Sequence, residues 1–274
     1  MPFVSALYTY PVKSLGGIAL QESVLSEIGL QYDRRWMIID ENNTFISQRT
    51  HPKLALLGTK ITDDGIVIQH KITNEAIRVP FLPNTTTQKK VTIWDDVCEG
   101  VVVDESIDNW LSNYLQKQVQ LVFMPDWVNR LVDHRYVSEA STTSFSDGYS
   151  FLLIAEASLE ELNELAATNF GMDRFRPNIV VSGSMPQEEE EWHEMQIGAG
   201  FFTGVKPCAR CVLTTIDQNT GIGGKEPLRT LAKYKRVGKR ILFGQNLVYN
   251  GGENYLKVGD EVLVKSRKKI EFAS

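Results

Sequence analysis

The sequence predicts a mainly β fold with a few helices, and three observations carry that prediction. Short apolar and β-branched runs recur at residues 36–39, 65–69, 76–80, 91–94 and 100–103, each bounded by Asp, Asn, Gly or Pro. Helical periodicity is confined to three later stretches. The 274 residues are 42 % apolar and 23 % charged, a soluble globular composition with no run approaching a membrane span.

Taken in order, the early strands have the regular spacing of a small barrel or sandwich. Ile107, Trp110, Leu111, Tyr114 and Leu115 then share one helix face, with Asp104 or Ser106 placed to cap it. A strand follows at 121–124. Residues 125–147 are polar with little periodicity, the kind of long loop that tends to carry function. Ser158 and Glu161 form a capping box ahead of Leu159, Leu162 and Leu165, so a second helix is expected to reach about Thr168. Residues 178–182 read as a buried strand. The four glutamates at 188–191 read as a solvated loop, since adjacent carboxylates cannot all face one metal. A further strand is expected at 212–216. Glu226-Pro227 opens a third helix through Leu228, Leu231 and Tyr234, and 257–264 turn into a closing strand. Length suggests two domains, with a boundary near residue 120.

Charge narrows the function. Thirty-four acidic against twenty-nine basic residues leave a net charge of −5, a poor footprint for nucleic acid or an anionic membrane. Any anionic ligand must be held by a local basic cluster. Lys13, Arg34, Arg35, Arg49, Arg174 and Arg176 all stand beside turns; singly each reads as a surface charge, but converging with Arg210 they would make an anion site. Gly221-Ile222-Gly223-Gly224-Lys225 lacks the first glycine and the final Ser or Thr of a phosphate loop. Three cysteines are odd in number and too few for a disulfide scaffold, which points to a reducing compartment. Residues 1–20 lack a secretory pattern, so a cytoplasmic location is expected.

Cys208-Ala209-Arg210-Cys211 is the sharpest local feature. A zinc site would need a second ligand pair, and Cys98, His51, His70, His134 and His193 supply none at matching spacing. A thioredoxin-type dithiol would need a helix after the second cysteine, where a strand is expected. Two readings stay level: a single thiolate ligand or nucleophile beside Lys206 and Arg210, or two small buried hydrophobes. No nucleophile elbow accompanies the histidines.

Six segments in order, Tyr10-Pro11-Val12-Lys13-Ser14, Asp33-Arg34-Arg35-Trp36, Phe145-Ser146-Asp147, Phe175-Arg176-Pro177-Asn178, Cys208 to Asp217 and Phe243-Gly244-Gln245-Asn246, resemble the MOSC family. The likeness is to the branch of YcbX-type proteins and mitochondrial amidoxime-reducing components. It spans residues 1 to about 265. It implies a MOSC N-terminal β-barrel domain over 1–120, a β-barrel-like MOSC domain over 121–266 and a tail at 267–274. It further implies a molybdenum–pterin cofactor, with Cys211 as metal ligand and catalytic residue. Lys13, Asp33, Arg34, Asp147, Arg176, Asn178 and Arg210 are the implied cofactor-binding residues. Asn246 and Gly148-Tyr149 depart from the family pattern.

The implied activity is reduction of small N-hydroxylated compounds, namely amidoximes, hydroxylamines and N-hydroxylated bases. No cysteine follows Cys211, so electrons are expected from a separate donor, a ferredoxin- or flavin-type reductase. The alternative is a non-catalytic cofactor carrier or sulfur-transfer protein. Pyridoxal phosphate is not expected, because no lysine sits in a recognisable Schiff-base setting.

Overall fold

Alternation along the strand Trp36–Asp40 sets the layering of the N-terminal half. Trp36 and Ile38 point into one apolar cluster with Leu54, Leu57, Ile66, Ile68, Leu111 and Leu121, while Met37 and Ile39 enter a second with Val91, Ile93, Val122 and Phe145. Side chains of period two make this possible only for a strand buried on both faces. In a computed structural model describing residues 1–137 and 140–268, this strand edges a four-stranded sheet in the order Trp36–Asp40, Val119–Phe123, Asp96–Val102, Gln88–Ile93. A three-stranded sheet, Leu57–Ile61, Gly65–His70 and Ala76–Pro80, covers the first cluster. Of the expected tail, residues 269–274 lie outside the described residues.

Helix α1, Glu105–Leu115, closes that cluster with Ile107, Leu111 and Leu115. Asp104 is its cap, its side chain accepting from the Ser106 amide at 2.8 Å. Removing that acceptor leaves one helix-end donor without its side-chain partner. Asp104→Ala is therefore expected to lower unfolding stability by about 1 kcal/mol, read as a drop in the denaturant midpoint at constant slope.

The C-terminal half is built on a large, mostly antiparallel sheet. Its order is Val262–Val264, Glu194–Ile197, Gly200–Ala209, Arg240–Gly252, Phe151–Ala155, Ile179–Ser182, Phe3–Thr9, Ile18–Leu20. The first strand of the chain thus pairs with Ile179–Ser182, and Val4, Leu7, Leu25 and Leu30 pack with Phe151, Trp192 and Phe202. Residues 10–15 must consequently cross from this sheet to the N-terminal cluster. The whole is mainly β with three α-helices among the described residues, as the strand patterning predicts.

Three local expectations are corrected. The second helix, α2, spans Glu156–Ala166, starting two residues before the expected capping box. Its end is tied from a distance: buried Glu189 accepts from the Ala155 amide at 3.2 Å and from the Ser158 hydroxyl at 2.9 Å. The 188–191 segment is accordingly a 3₁₀ turn, not a solvated loop. Glu190 pairs with Lys235 at 2.5 Å and Glu188 pairs with Arg267.

Residues 212–216, expected as a strand, are also a 3₁₀ turn, Val212–Thr215. The Thr214 and Thr215 hydroxyls donate back to the carbonyls of Cys211 and Val212 at 3.0 and 2.7 Å, a local bond that competes with a ladder. The third helix, α3, is Leu228–Tyr234, directly after Pro227. No helix of the described residues is long and apolar enough to cross a membrane.

Candidate functional site

The crossing segment 10–15 opens a cavity between the two halves. Lys13, Ser14, Arg34, Arg49, Asp147, Arg176, Asn178, Cys208, Arg210, Cys211 and Asn246 are among its lining. It encloses about 150 Å³ and is open to solvent. Five lining side chains are cationic and one is a carboxylate, although the whole chain carries −5.

Its deep wall is a stack. The guanidinium groups of Arg34 and Arg176 both sit over the Tyr10 ring, 4.5 and 4.3 Å from its centroid. The Tyr10 hydroxyl donates to Pro177 O at 3.0 Å. Gly17 leaves room for the ring, since a Cβ there would stand 2.4 Å from it. Burial pushes the Tyr10 phenol well above its ordinary range, against the pull of Arg176 and Arg34, so it stays a neutral spacer. Two like charges on one ring need anchors. Arg34 donates to Asp33 at 2.5 Å, to Asn178 Oδ1 at 3.1 Å and to Arg176 O at 3.2 Å. Arg176 donates to Leu15 O at 2.6 Å.

Ser14, Arg34 and Arg176 all have left-handed backbones, with φ of 69°, 49° and 57°. Three such non-glycine residues in one cavity are a concentration of strain typical of functional sites. Asp33 itself does not line the cavity. It is buried behind Arg34, its other oxygen accepting the Tyr10 amide at 2.9 Å.

Lys13 and Asp147 form the side wall. The Lys13 ammonium, 5 % exposed, donates to Asp147 at 2.6 Å and to Phe145 O at 2.7 Å. Burial lowers its pKa to about 8, with Arg130 and Arg34 adding and Asp147 opposing. The Asp147 side chain keeps 56 % of its surface open to the cavity, yet protein surrounds that opening. Burial disfavours its charge, but Lys13 and Arg49 outweigh it and hold the carboxyl well below the usual range.

The sulfur wall comes from the end of strand Gly200–Ala209. Cys208 lies on the strand, and Cys211 follows it at the start of the 3₁₀ turn. Each sulfur has its own arginine. Arg210 donates to Cys208 Sγ at 3.1 Å and to Phe175 O at 2.6 Å, while Arg49 donates through Nε to Cys211 Sγ at 3.1 Å and through Nη2 to Asp147 at 3.0 Å. All three cysteines are free.

The structure thus brings together Lys13, Arg34, Asp147, Arg176, Asn178, Arg210 and Cys211, with Asp33 one layer behind. Arg49 is a turn-borne base in the sequence, but only the fold places it on the Cys211 sulfur. Tyr10 as a spacer and Arg130 as a loop anchor carry no comparable local signal. A signal for Arg49 existed in the buried Ser47-Gln48 beside it, but burial is visible only after folding.

The donor set fits an anion. Arg176 Nη2 and Arg210 Nε are buried and find no partner among the described residues, a costly state that a bound oxyanion relieves. Crowding of cations is expected to show in pH dependence. Lys13 is charged below about pH 8 and neutral above it, so affinity for sulfate, which does not titrate in this range, should fall about tenfold between pH 7 and 9. Calorimetric titration should find that slope in the wild type and a flat profile in Lys13→Met.

Comparison with known proteins agrees with this layout. The MOSC N-terminal beta barrel domain matches residues 1–118 and the MOSC domain matches residues 140–263. The chain is 31% identical to mitochondrial amidoxime-reducing component 1 of Homo sapiens, over 94% of this chain and 82% of that protein. It is 32% identical to the Mus musculus protein of the same name, over 94% and 81%. It is also 30% identical to the molybdenum cofactor sulfurase of Danio rerio, over 94% of this chain but 34% of that longer protein. With both domain matches in order and 94% of this chain aligned to each of these relatives, the chain belongs to the MOSC family, in the group that carries the MOSC N-terminal beta barrel domain and includes the mitochondrial amidoxime-reducing components.

Proposed function

We propose that this protein is a molybdenum-cofactor-dependent oxidoreductase that reduces small N-hydroxylated compounds. The observation that carries the reading is the cationic cavity in an acidic chain, with the half-buried sulfurs of Cys208 and Cys211 on its wall. When bound, a molybdenum–pterin group would supply two-electron reduction of an N–O bond, its metal held by the Cys211 thiolate. Arg176, Arg34 and Arg210 would hold the phosphate, with the unpartnered Arg176 Nη2 and Arg210 Nε as open donors. Asn178 and Lys13 would meet the polar ring edge. Asp147 keeps Lys13 and Arg49 in place and balances part of their charge.

Overall, each turnover converts an N–OH group, two electrons and two protons into N–H and water. Both electrons are assigned to a separate donor of ferredoxin or flavin type. Amidoximes, hydroxylamines and N-hydroxylated bases are the substrate classes, and the two-domain division near residue 120 is part of the same reading.

The first test is elemental analysis of protein purified from cofactor-producing cells supplied with molybdate. Near-stoichiometric molybdenum, followed by reduction of benzamidoxime with a chemical electron donor, is the expected result. Protein without molybdenum would overturn the proposal. The match to a molybdenum cofactor sulfurase favours one second reading, a carrier or sulfur-transfer protein. A carrier would lose the metal to a cofactor-free enzyme mixed with it, whereas the reductase retains it.

A further inference from the structure

The turn Trp94-Asp95 joins the strands Gln88–Ile93 and Asp96–Val102 at the mouth of the cavity. Trp94 has a φ of 55°, a left-handed backbone that a hairpin normally gives to Gly, Asn or Asp. A bulky aromatic there is costly. Its indole is also 45 % exposed, so core burial does not offset that cost.

The side chain has three contacts instead. The Arg49 guanidinium lies 3.9 Å from its ring centroid. Its Nε1–H donates to Asp147 at 3.3 Å. Its edge meets Phe45 at a centroid distance of 4.9 Å. Trp94 is not itself part of the cavity lining.

The same turn is tied to the Asp147 wall a second time through the next residue. Asp96 accepts from Arg130 at 2.7 and 3.0 Å. Arg130, 4 % exposed, also donates to the carbonyls of Ser144 and Ser146 at 2.9 and 2.7 Å. The segment 144–147, which carries Asp147, is thus gripped from the turn on both sides.

We infer that Trp94 is a positioning residue that holds Arg49 on the Cys211 sulfur and against Asp147, in a turn that Arg130 and Asp96 lock to segment 144–147. The indole face gives the guanidinium a flat, weakly hydrated bed. Without it, a side chain 17 % exposed has room to swing to water. The inference rests on the proposed role of Cys211, but its test does not use molybdenum.

The experiment compares alkylation of Cys211 by iodoacetate and by iodoacetamide in the full chain, produced in cells that make no molybdenum cofactor. Both reagents consume the thiolate, so the ratio of their rates cancels the thiolate fraction and reports the local positive field. Trypsin cuts after Arg210 and separates Cys211 from Cys208, so each can be read by mass spectrometry. Trp94→Gly is the main variant, since glycine suits this backbone and removes the ring without adding strain. Trp94→Asn also accommodates it and serves as a second.

Both variants are expected to lower the iodoacetate preference about fivefold, the size of one unit charge acting at about 4 Å through water. Arg49→Met should give the same loss, and Trp94→Gly in that background should add nothing. Trp94→Phe should keep most of the wild-type ratio while the thermal midpoint varies independently. An unchanged ratio in Trp94→Gly and Trp94→Asn would overturn the inference, as would a further loss on top of Arg49→Met. A protein that holds no molybdenum would defeat the proposed activity and leave this measurement intact.

Discussion

Cys211→Ser is expected to bring the molybdenum content of the purified protein below about a tenth of the wild-type value and to abolish N–O reduction. A serine hydroxyl at the same place is a hard, protonated donor, where a soft thiolate is required to hold a metal that changes oxidation state. Cys208→Ser should retain most of both properties. Its sulfur accepts from Arg210 at 3.1 Å and packs beside the Phe175 and Phe243 cluster, so it serves the wall and not the metal. Parallel elemental analysis and benzamidoxime assays on the two variants decide the matter. Equal loss in both would replace the single-ligand reading by a dithiol or a zinc site.

Asp33→Ala should be the most damaging change that touches no ligand. Its carboxylate is 1 % exposed and accepts from the Tyr10 amide and from Arg34, whose side chain is only 13 % exposed. Removing it leaves a nearly buried guanidinium uncompensated beside Arg176 and orphans a buried amide. Losing one partner of such a pair costs about 3–5 kcal/mol, a large share of the stability of a typical domain. Urea denaturation should show that loss, and metal retention should fall with it, because the Tyr10 stack loses its anchor. Asp33→Asn keeps an acceptor for the Tyr10 amide and should fall between wild type and Asp33→Ala. A wild-type midpoint for Asp33→Ala would show that Arg34 is compensated elsewhere.

Much of the fold was legible from local pattern. The strands at Trp36–Asp40, Gly65–His70, Ala76–Pro80, Gln88–Ile93 and Asp96–Val102 and helix α1 appear in the sequence because each buries a periodic apolar face, and because Asp104 is a cap whose acceptor reaches its own first turn. Leu57–Ile61 was not among the expected runs. The misread elements are those decided by bonds outside the apolar pattern, either to distant segments or from side chain to nearby backbone. Ser158 looks like a cap within its own helix, but its hydroxyl is taken by Glu189. The apolar and β-branched run 212–216 looks like a strand, but two threonine hydroxyls fold it back on itself. The strand Phe3–Thr9 finds its sheet partner at Ile179–Ser182, a distance no local window spans.

The candidate site divides along the same line. From the sequence alone came the residue types: an acidic chain with basic residues at turns, a Cys-x-x-Cys pair, and six spaced segments that resemble one family. Those depend on composition and order, which the chain carries in itself. Only the tertiary structure decided that Arg34 and Arg176 share the ring of Tyr10, that Asp33 stands behind the cavity, that Arg49 faces Cys211, and that Trp94 lies under Arg49. The reason is physical. Charge–charge and cation–π energies depend on separations of a few ångströms and on burial, and both are created when distant segments pack together.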